Sequence, residues 1–132
     1  TATAVVDLNA DLGEGFGDWS MGDDAAMLEV VTTANIACGG HAGDGSTMRA
    51  ACRAAAARGV AITAHVAYPD LQGFGRRRLP CSPQEVERFV AAQTGALMGI
   101  AALAGAVLEI VLASVQPIVP LRSARTLLGS PA

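Results

Sequence analysis

Lysine is missing from this 132-residue chain, and all nine of its basic residues are arginine. A phosphate-binding loop of the G-x-x-x-x-G-K-S/T type therefore cannot exist here. With twelve acidic residues the formal charge is −3, so the broad basic patch of a nucleic-acid binder is missing too. The three cysteines, Cys38, Cys52 and Cys81, form an odd set without a C-x-x-C pair. That excludes a disulfide framework and a zinc knuckle, and points to a reducing, cytoplasmic setting. The opening Thr1 to Val6 has no basic stretch and runs into Asp7 and Asp11, so it does not read as a signal peptide. Gly95 to Leu108 is apolar, but a bilayer span needs about 20 residues. Bounded by Gln93 and Glu109, it reads as a buried amphipathic helix, not as a membrane anchor. No G-x-S-x-G elbow occurs, and Gly13-x-Gly15-x-Gly17 lacks the G-x-G-x-x-G spacing of a dinucleotide site.

What is present is apolar and periodic. The AVILMFWYC set makes up 52% of the chain against 16% charged residues, which excludes a disordered polymer. Short β-branched runs alternate with helix-like segments. Strands are expected at Ala4 to Leu8, Thr33 to Ala37, Val60 to His65 and Ala106 to Leu112. Between them, Asp23 or Asp24 caps a helix whose inner side carries Ala26, Met27, Val30 and Val31. Asp44 or Ser46 caps a second helix with Met48, Ala51, Cys52 and Ala55 inward, ended by Gly59. Ser82-Pro83-Gln84-Glu85 is a capping box that opens a third helix, with Val86, Phe89, Val90, Leu97 and Ile100 near helical spacing. This βαβαβαβ order predicts an α/β fold, a parallel sheet with helices packed outside it. A complete (β/α) barrel takes about 250 residues, so the chain supplies about half of one. Three readings stay open: an open sheet, a fragment, or a barrel that another chain completes.

In parallel sheets ligands bind beyond the carboxyl ends of the strands, and the polar residues gather at three such ends. The first offers Asp7, Asn9, Asp11 and Glu14; the second Asn35, His41 and Asp44; the third His65, Tyr68 and Asp70. Two histidines, several carboxylates and flanking glycines suit metal-assisted or general acid–base hydrolysis. Structural alternatives stand beside each. Asp11 and Glu14 can cap turns, Asp44 can cap a helix, and His65 can be a core histidine bonded to backbone. His41 lies among Gly39, Gly40 and Gly43, a spacing that suits close backbone approach. Arg76-Arg77-Arg78 can be a solvated face, or Arg76 can hold an anion. Cys38 reads as small buried packing, without a base at a recognisable spacing.

Three stretches then resemble one family. Asp7-Leu8-Asn9-Ala10-Asp11-Leu12-Gly13-Glu14-Gly15-Phe16-Gly17 is similar to the opening D-L-N-x-D-L-G-E-x-x-G of the LamB/YcsF family. Ala34-Asn35-Ile36-Ala37-Cys38-Gly39-Gly40-His41-Ala42-Gly43-Asp44 resembles its A-N-I-A-C-G-x-H-A-G-D signature. Ala64-His65-Val66-Ala67-Tyr68-Pro69-Asp70-Leu71-Gln72-Gly73-Phe74-Gly75-Arg76-Arg77 is similar to its A-H-x-x-Y-P-D-x-x-G-F-G-R-R. The resemblance runs from about Val5 to about Leu108. It implies the N-terminal half of a (β/α) barrel of the polysaccharide deacetylase-like kind. It also implies ATP-dependent hydrolysis of 5-oxo-L-proline to L-glutamate, with ATP (and Mg) as co-substrate and subunits B and C as partners. On that reading Asp11, Glu14, His41 and His65 are the acid–base or metal-facing residues. Asn9, Asp44, Tyr68 and Arg76 are candidates for holding substrate, and a bound divalent metal is a further candidate.

The C-terminal stretch departs from the family. Its V-K-P-H-G-A-L-Y-N motif meets Val115-Gln116-Pro117-Ile118-Val119-Pro120 here, without the Lys, His and Gly. After Glu109 the only charges are Arg122 and Arg125, so residues 110–132 are expected to be the tail of a truncated or frameshifted reading frame. The whole of 1–132 reads as one domain, and unpaired strand edges would favour homo-oligomers. Two other functions remain in view: a metal-dependent amide hydrolase of the deacetylase type, and an inactive half-barrel that binds a partner.

Overall fold

The structure is a computed structural model that describes residues 3–106. Three parallel strands, β1 (Asn9–Leu12), β2 (Thr33–Ala37) and β3 (Ala61–His65), lie side by side in the order β1-β2-β3. They alternate with α1 (Asp24–Met27), α2 (Gly45–Ala57) and α3 (Pro83–Leu103). This is an α/β arrangement with parallel strands, consistent with a partial (β/α) barrel. No described helix is long and apolar enough to cross a membrane.

Strand period two divides the sheet into unlike faces. Leu12, Ala34, Ile36, Ile62 and Ala64 project from one face and are buried with Met48, Ala51, Cys52 and Ala55 of α2 and Leu97 and Ala101 of α3. Ile36, at 0% exposure, is among the largest fully buried side chains, a burial that stabilises by about 1.5–3 kcal/mol. The opposite face carries Asn9, Asp11, Asn35, Thr63 and His65. α2 forms as the sequence predicts. Asp44 is its N-cap, Oδ1 accepting from the Thr47 N–H at 2.8 Å, and Gly59 follows the last turn at φ +67°. Ser82 and Glu85 close the capping box of α3.

Two expectations are corrected. The first strand is Asn9–Leu12, not Ala4 to Leu8; Val5 and Val6 are 92% and 79% exposed. A β-branched run needs a neighbour to pack against, and pairing with β2 starts only at Asn9 opposite Thr33. Before that point the Leu8 carbonyl accepts from the Thr32 and Thr33 N–H groups, and both threonine hydroxyls donate to Asp7. α1 is a single turn capped by Asp23, and Ala26, Met27 and Val30 are exposed; of the expected inner side Val31 is buried, joined by Leu28. In α3 the buried stripe is narrow, Gln93, Leu97 and Ala101, while Met98 and Leu103 are exposed. The segment expected to be a buried amphipathic helix is the second half of α3 and buries Leu97 and Ala101 on its inner side, as expected. The fourth strand expected at Ala106 to Leu112 and the tail at 110–132 lie outside the described residues, apart from Ala106.

Candidate functional site

Parallel pairing aligns side chains across the sheet. Asp11 lies opposite Asn35, and Asn35 opposite Thr63. Thr63 Oγ1 donates to Asn35 Oδ1 at 2.6 Å, and Asn35 Nδ2 donates to Asn9 Oδ1 at 2.9 Å and Asp11 Oδ1 at 3.2 Å. This chain of bonds satisfies the buried Asn35 and Thr63 and orients the Asp11 carboxylate.

At the carboxyl ends of the strands the two histidines of the sequence meet. His65 is the last residue of β3, and His41 follows β2 by four residues. Their ring centres are 4.4 Å apart, both side chains nearly sealed from solvent. Glu14, two residues beyond β1, places Oε1 2.7 Å from His41 Nε2 and 3.5 Å from His65 Nδ1. Asp11 Oδ1 is also 3.5 Å from His65 Nδ1. The backing is tight. Phe74 meets the His41 ring edge-on at 4.9 Å, and a Cβ on Gly75 would stand 2.9 Å from His41 Cβ. Gly75 also has φ +67°, so a larger residue there is strained as well as crowded.

Burial is the largest influence on His65 and lowers its pKa from the ordinary 6.5. Asp11 and Glu14 oppose that shift, while His41 and Arg76 add to it. His65 is accordingly a neutral imidazole at pH 7, fit to accept a proton. Neither His41 Nδ1 nor His65 Nδ1 has a hydrogen-bond partner among the described residues. Glu14, His41 and His65 each present a ligand atom, all within 4.8 Å of one another, and so suit a metal ion. Glu14 and His41 also open on a cavity of about 350 Å³ whose apolar walls include Phe16, Trp19, Met21, Leu71 and Phe74.

The other predicted residues are placed differently. Asn9 joins the hydrogen-bonded chain on the sheet. Both oxygens of Asp44 are engaged by backbone, Oδ1 by Thr47 and Oδ2 by the Gly17 N–H at 2.7 Å, which hold its pKa below the usual value. Asp44 is the cap that the sequence offered as its structural alternative. Tyr68 is half-buried, its carbonyl accepting from the Asp70 N–H. The Arg76 guanidinium is 6.0 Å from the centre of the Phe74 ring. Cys38 is buried, its thiol pushed up to about 12, in keeping with packing and not with a nucleophile.

Two supporting contacts escaped the sequence reading. Asp70 was legible as a strand-end residue, but its partners were not. Buried, it takes a bidentate pair from Arg77 and a bond from the Gly73 N–H, which together hold it down to about 2 and tie the loop that carries Phe74 and Gly75. Gln93, in mid-helix on α3, pairs with both backbone groups of Ala67, donating at 2.7 Å and accepting at 3.0 Å. A lone glutamine on the inner stripe of an apolar helix was the available signal.

Comparison with known proteins gives the family. A sequence model of the LamB/YcsF family matches residues 6–113. The chain belongs to the LamB/YcsF family. The A-subunit of 5-oxoprolinase from Nocardia farcinica (strain IFM 10152) is 62% identical over 100 residues, 76% of this chain and 40% of that protein. Its namesake from Mycolicibacterium gilvum (strain PYR-GCK) is 61% identical over the same shares. Among solved structures, the lactam utilization protein of Thermus thermophilus superposes with a TM-score of 0.77 at 44% identity, covering 80% of this chain and 43% of that one. The chain thus matches about two fifths of the length of these LamB/YcsF relatives.

Proposed function

We propose that this chain supplies the acid–base centre of a 5-oxoprolinase, opening the ring of 5-oxo-L-proline to L-glutamate. The observation that carries the reading is the cluster itself: a neutral buried His65 and a Glu14–His41 pair at the edge of a largely apolar cavity. The names of its LamB/YcsF relatives, the 5-oxoprolinase A-subunits and the lactam utilization protein, support it. In lactam hydrolysis a water oxygen bonds to the ring carbonyl carbon, the C–N bond breaks, and the departing nitrogen takes a proton. His65 accepts the proton of that water. Glu14 holds His41 in place through the 2.7 Å bond, and His41 delivers the proton to the nitrogen. Asp11 stabilises the imidazolium that forms on His65.

Ring opening of a five-membered lactam is uphill near neutrality, so the proposal includes coupling to ATP (with Mg) and partner subunits B and C. The described residues do not fit a triphosphate. There is no lysine, Asp11 and Glu14 are like-charged with phosphate, and Arg77 is engaged by Asp70. No step is therefore assigned to the nucleotide on these residues, and its site is proposed to be built at least partly elsewhere. The barrel is proposed to be of the polysaccharide deacetylase-like kind, with this chain as its N-terminal part, in the cytoplasm.

The test is 5-oxoproline-dependent ADP release by the assembly of this chain with subunits B and C. His41→Ala is expected to slow it by about 10²- to 10⁴-fold, the usual contribution of a positioned acid or base. Equal rates for the variant and the native chain overturn the reading. A metal-dependent amide hydrolase is the second reading, favoured by the ligand cluster. Lactam cleavage without ATP would select it.

A further inference from the structure

We propose that Glu14, His41 and His65, with Asp11 as a fourth ligand, form the site of a divalent transition-metal cation; this rests on the reading that the cluster is the functional site, and it gives the histidine nitrogens to the ion, which when bound would activate the water in place of direct proton transfer by His65. Three independent features of the cluster lead there.

The first is an unexplained atom. His65 Nδ1 is buried and makes no hydrogen bond, although two carboxylate oxygens stand 3.5 Å away. A buried polar atom left unpaired costs about 1–3 kcal/mol, so such an atom calls for a partner. The second is spacing. With metal–ligand bonds of about 2.0–2.1 Å, neighbouring ligand atoms of a tetrahedral site stand roughly 3.4 Å apart. The distances from His65 Nδ1 to Asp11 Oδ1 and to Glu14 Oε1, both 3.5 Å, match that edge. The contact of 2.7 Å between His41 Nε2 and Glu14 Oε1 is a hydrogen bond, and it widens when a cation replaces the shared proton.

The third is the donor set. Two imidazoles with carboxylates suit Zn²⁺ and its neighbours and do not suit Mg²⁺ or Ca²⁺, which prefer oxygen alone. Sulfur does not enter, because the buried Cys38 thiol donates to the Ile36 carbonyl and is not among the clustered ligand atoms. Glu14 and His41 line the 350 Å³ cavity, so a ligand oxygen from the substrate, a carboxylate or a lactam carbonyl, can reach the cation from that side.

The test uses the full chain, stripped with a chelator and titrated with Zn²⁺ and Co²⁺ in the absence of lactam and ATP. Calorimetry is expected to give one ion per chain. Because both histidines of the sequence belong to the cluster, their ring proton resonances report directly on the site, and both are expected to shift as one ion binds. The Co²⁺ form is expected to show visible bands without the near-ultraviolet band of a thiolate ligand. Glu14→Gln and His65→Gln are expected to weaken binding by more than the ~10–100-fold that loss of an outer partner costs. Arg53→Ala, on the outer side of α2, is expected to bind as the native chain does. The inference is overturned if native chain leaves both histidine signals unmoved at millimolar Zn²⁺, if a thiolate band appears, or if both cluster variants bind undiminished. A chain that binds the ion while the full assembly fails to open the lactam overturns the functional reading alone. Ring opening by an assembly whose chain takes up no ion overturns this inference alone.

Discussion

The two faces of the three-stranded sheet are built from adjacent residues and obey different rules. On one, Ile36, Ile62 and Ala64 meet α2 and α3 and stabilise by exclusion of water. On the other, Asn35 and Thr63 are as deeply buried yet polar, and are tolerated because each finds a partner along the line to Asp11. The apolar face depends on volume and the polar face on completed hydrogen bonds. The histidines stand where the polar face meets the loops, so the site draws its order from bonds and the fold draws its stability from packing.

That contrast can be broken in order of expected effect. Ile36→Ala is expected to cost about 2–5 kcal/mol in chemical denaturation, the range for opening a cavity in a packed core. A loss below that range would mean the helices do not seal that face. Asn35→Ala is expected to cost less, about 1–3 kcal/mol, because it leaves Thr63 and the Asn9–Asp11 pair without their bridging amide. If it costs more than Ile36→Ala, the two faces have been assigned the wrong roles.

Asp70 sharpens the comparison through pH. Its carboxyl sits near 2 in the folded chain against an ordinary 3.8, so its contribution to stability is complete above about 3.8 and is lost as pH falls toward 2. Melting curves across that window are expected to lose this slope in Arg77→Ala; an unchanged slope would assign the acid sensitivity elsewhere. The smallest effect is expected at the surface. Arg58→Ala removes a pair with Glu29 whose side chains are 38% and 66% exposed, and is expected to cost no more than about 1 kcal/mol.

The parts legible in the sequence are those set by neighbours along the chain. The cap at Asp44, the box at Ser82 and Glu85, and the buried positions Met48, Ala51, Cys52 and Ala55 follow from local hydrogen bonding and a period of 3.6. Asp11, His41 and His65 were legible as strand-end residues, and the structure brings them together. Val5 and Val6 misled, because β-branched composition reports a suitable partner only where a strand is available to pair. Gln93 stood out as a polar residue on an apolar stripe but its role did not, because its partner, the backbone of Ala67, is 26 residues away and has no side-chain signature.

Sequence alone determined which polar residues stand at the strand ends and which turns start the helices, since both depend on residue type within a few positions. Only the tertiary structure decided that Glu14 reaches His41, that Arg77 serves Asp70, and that His65 stays neutral. Those outcomes depend on distance and burial, and both arise when parallel pairing brings three separate strand ends to one rim.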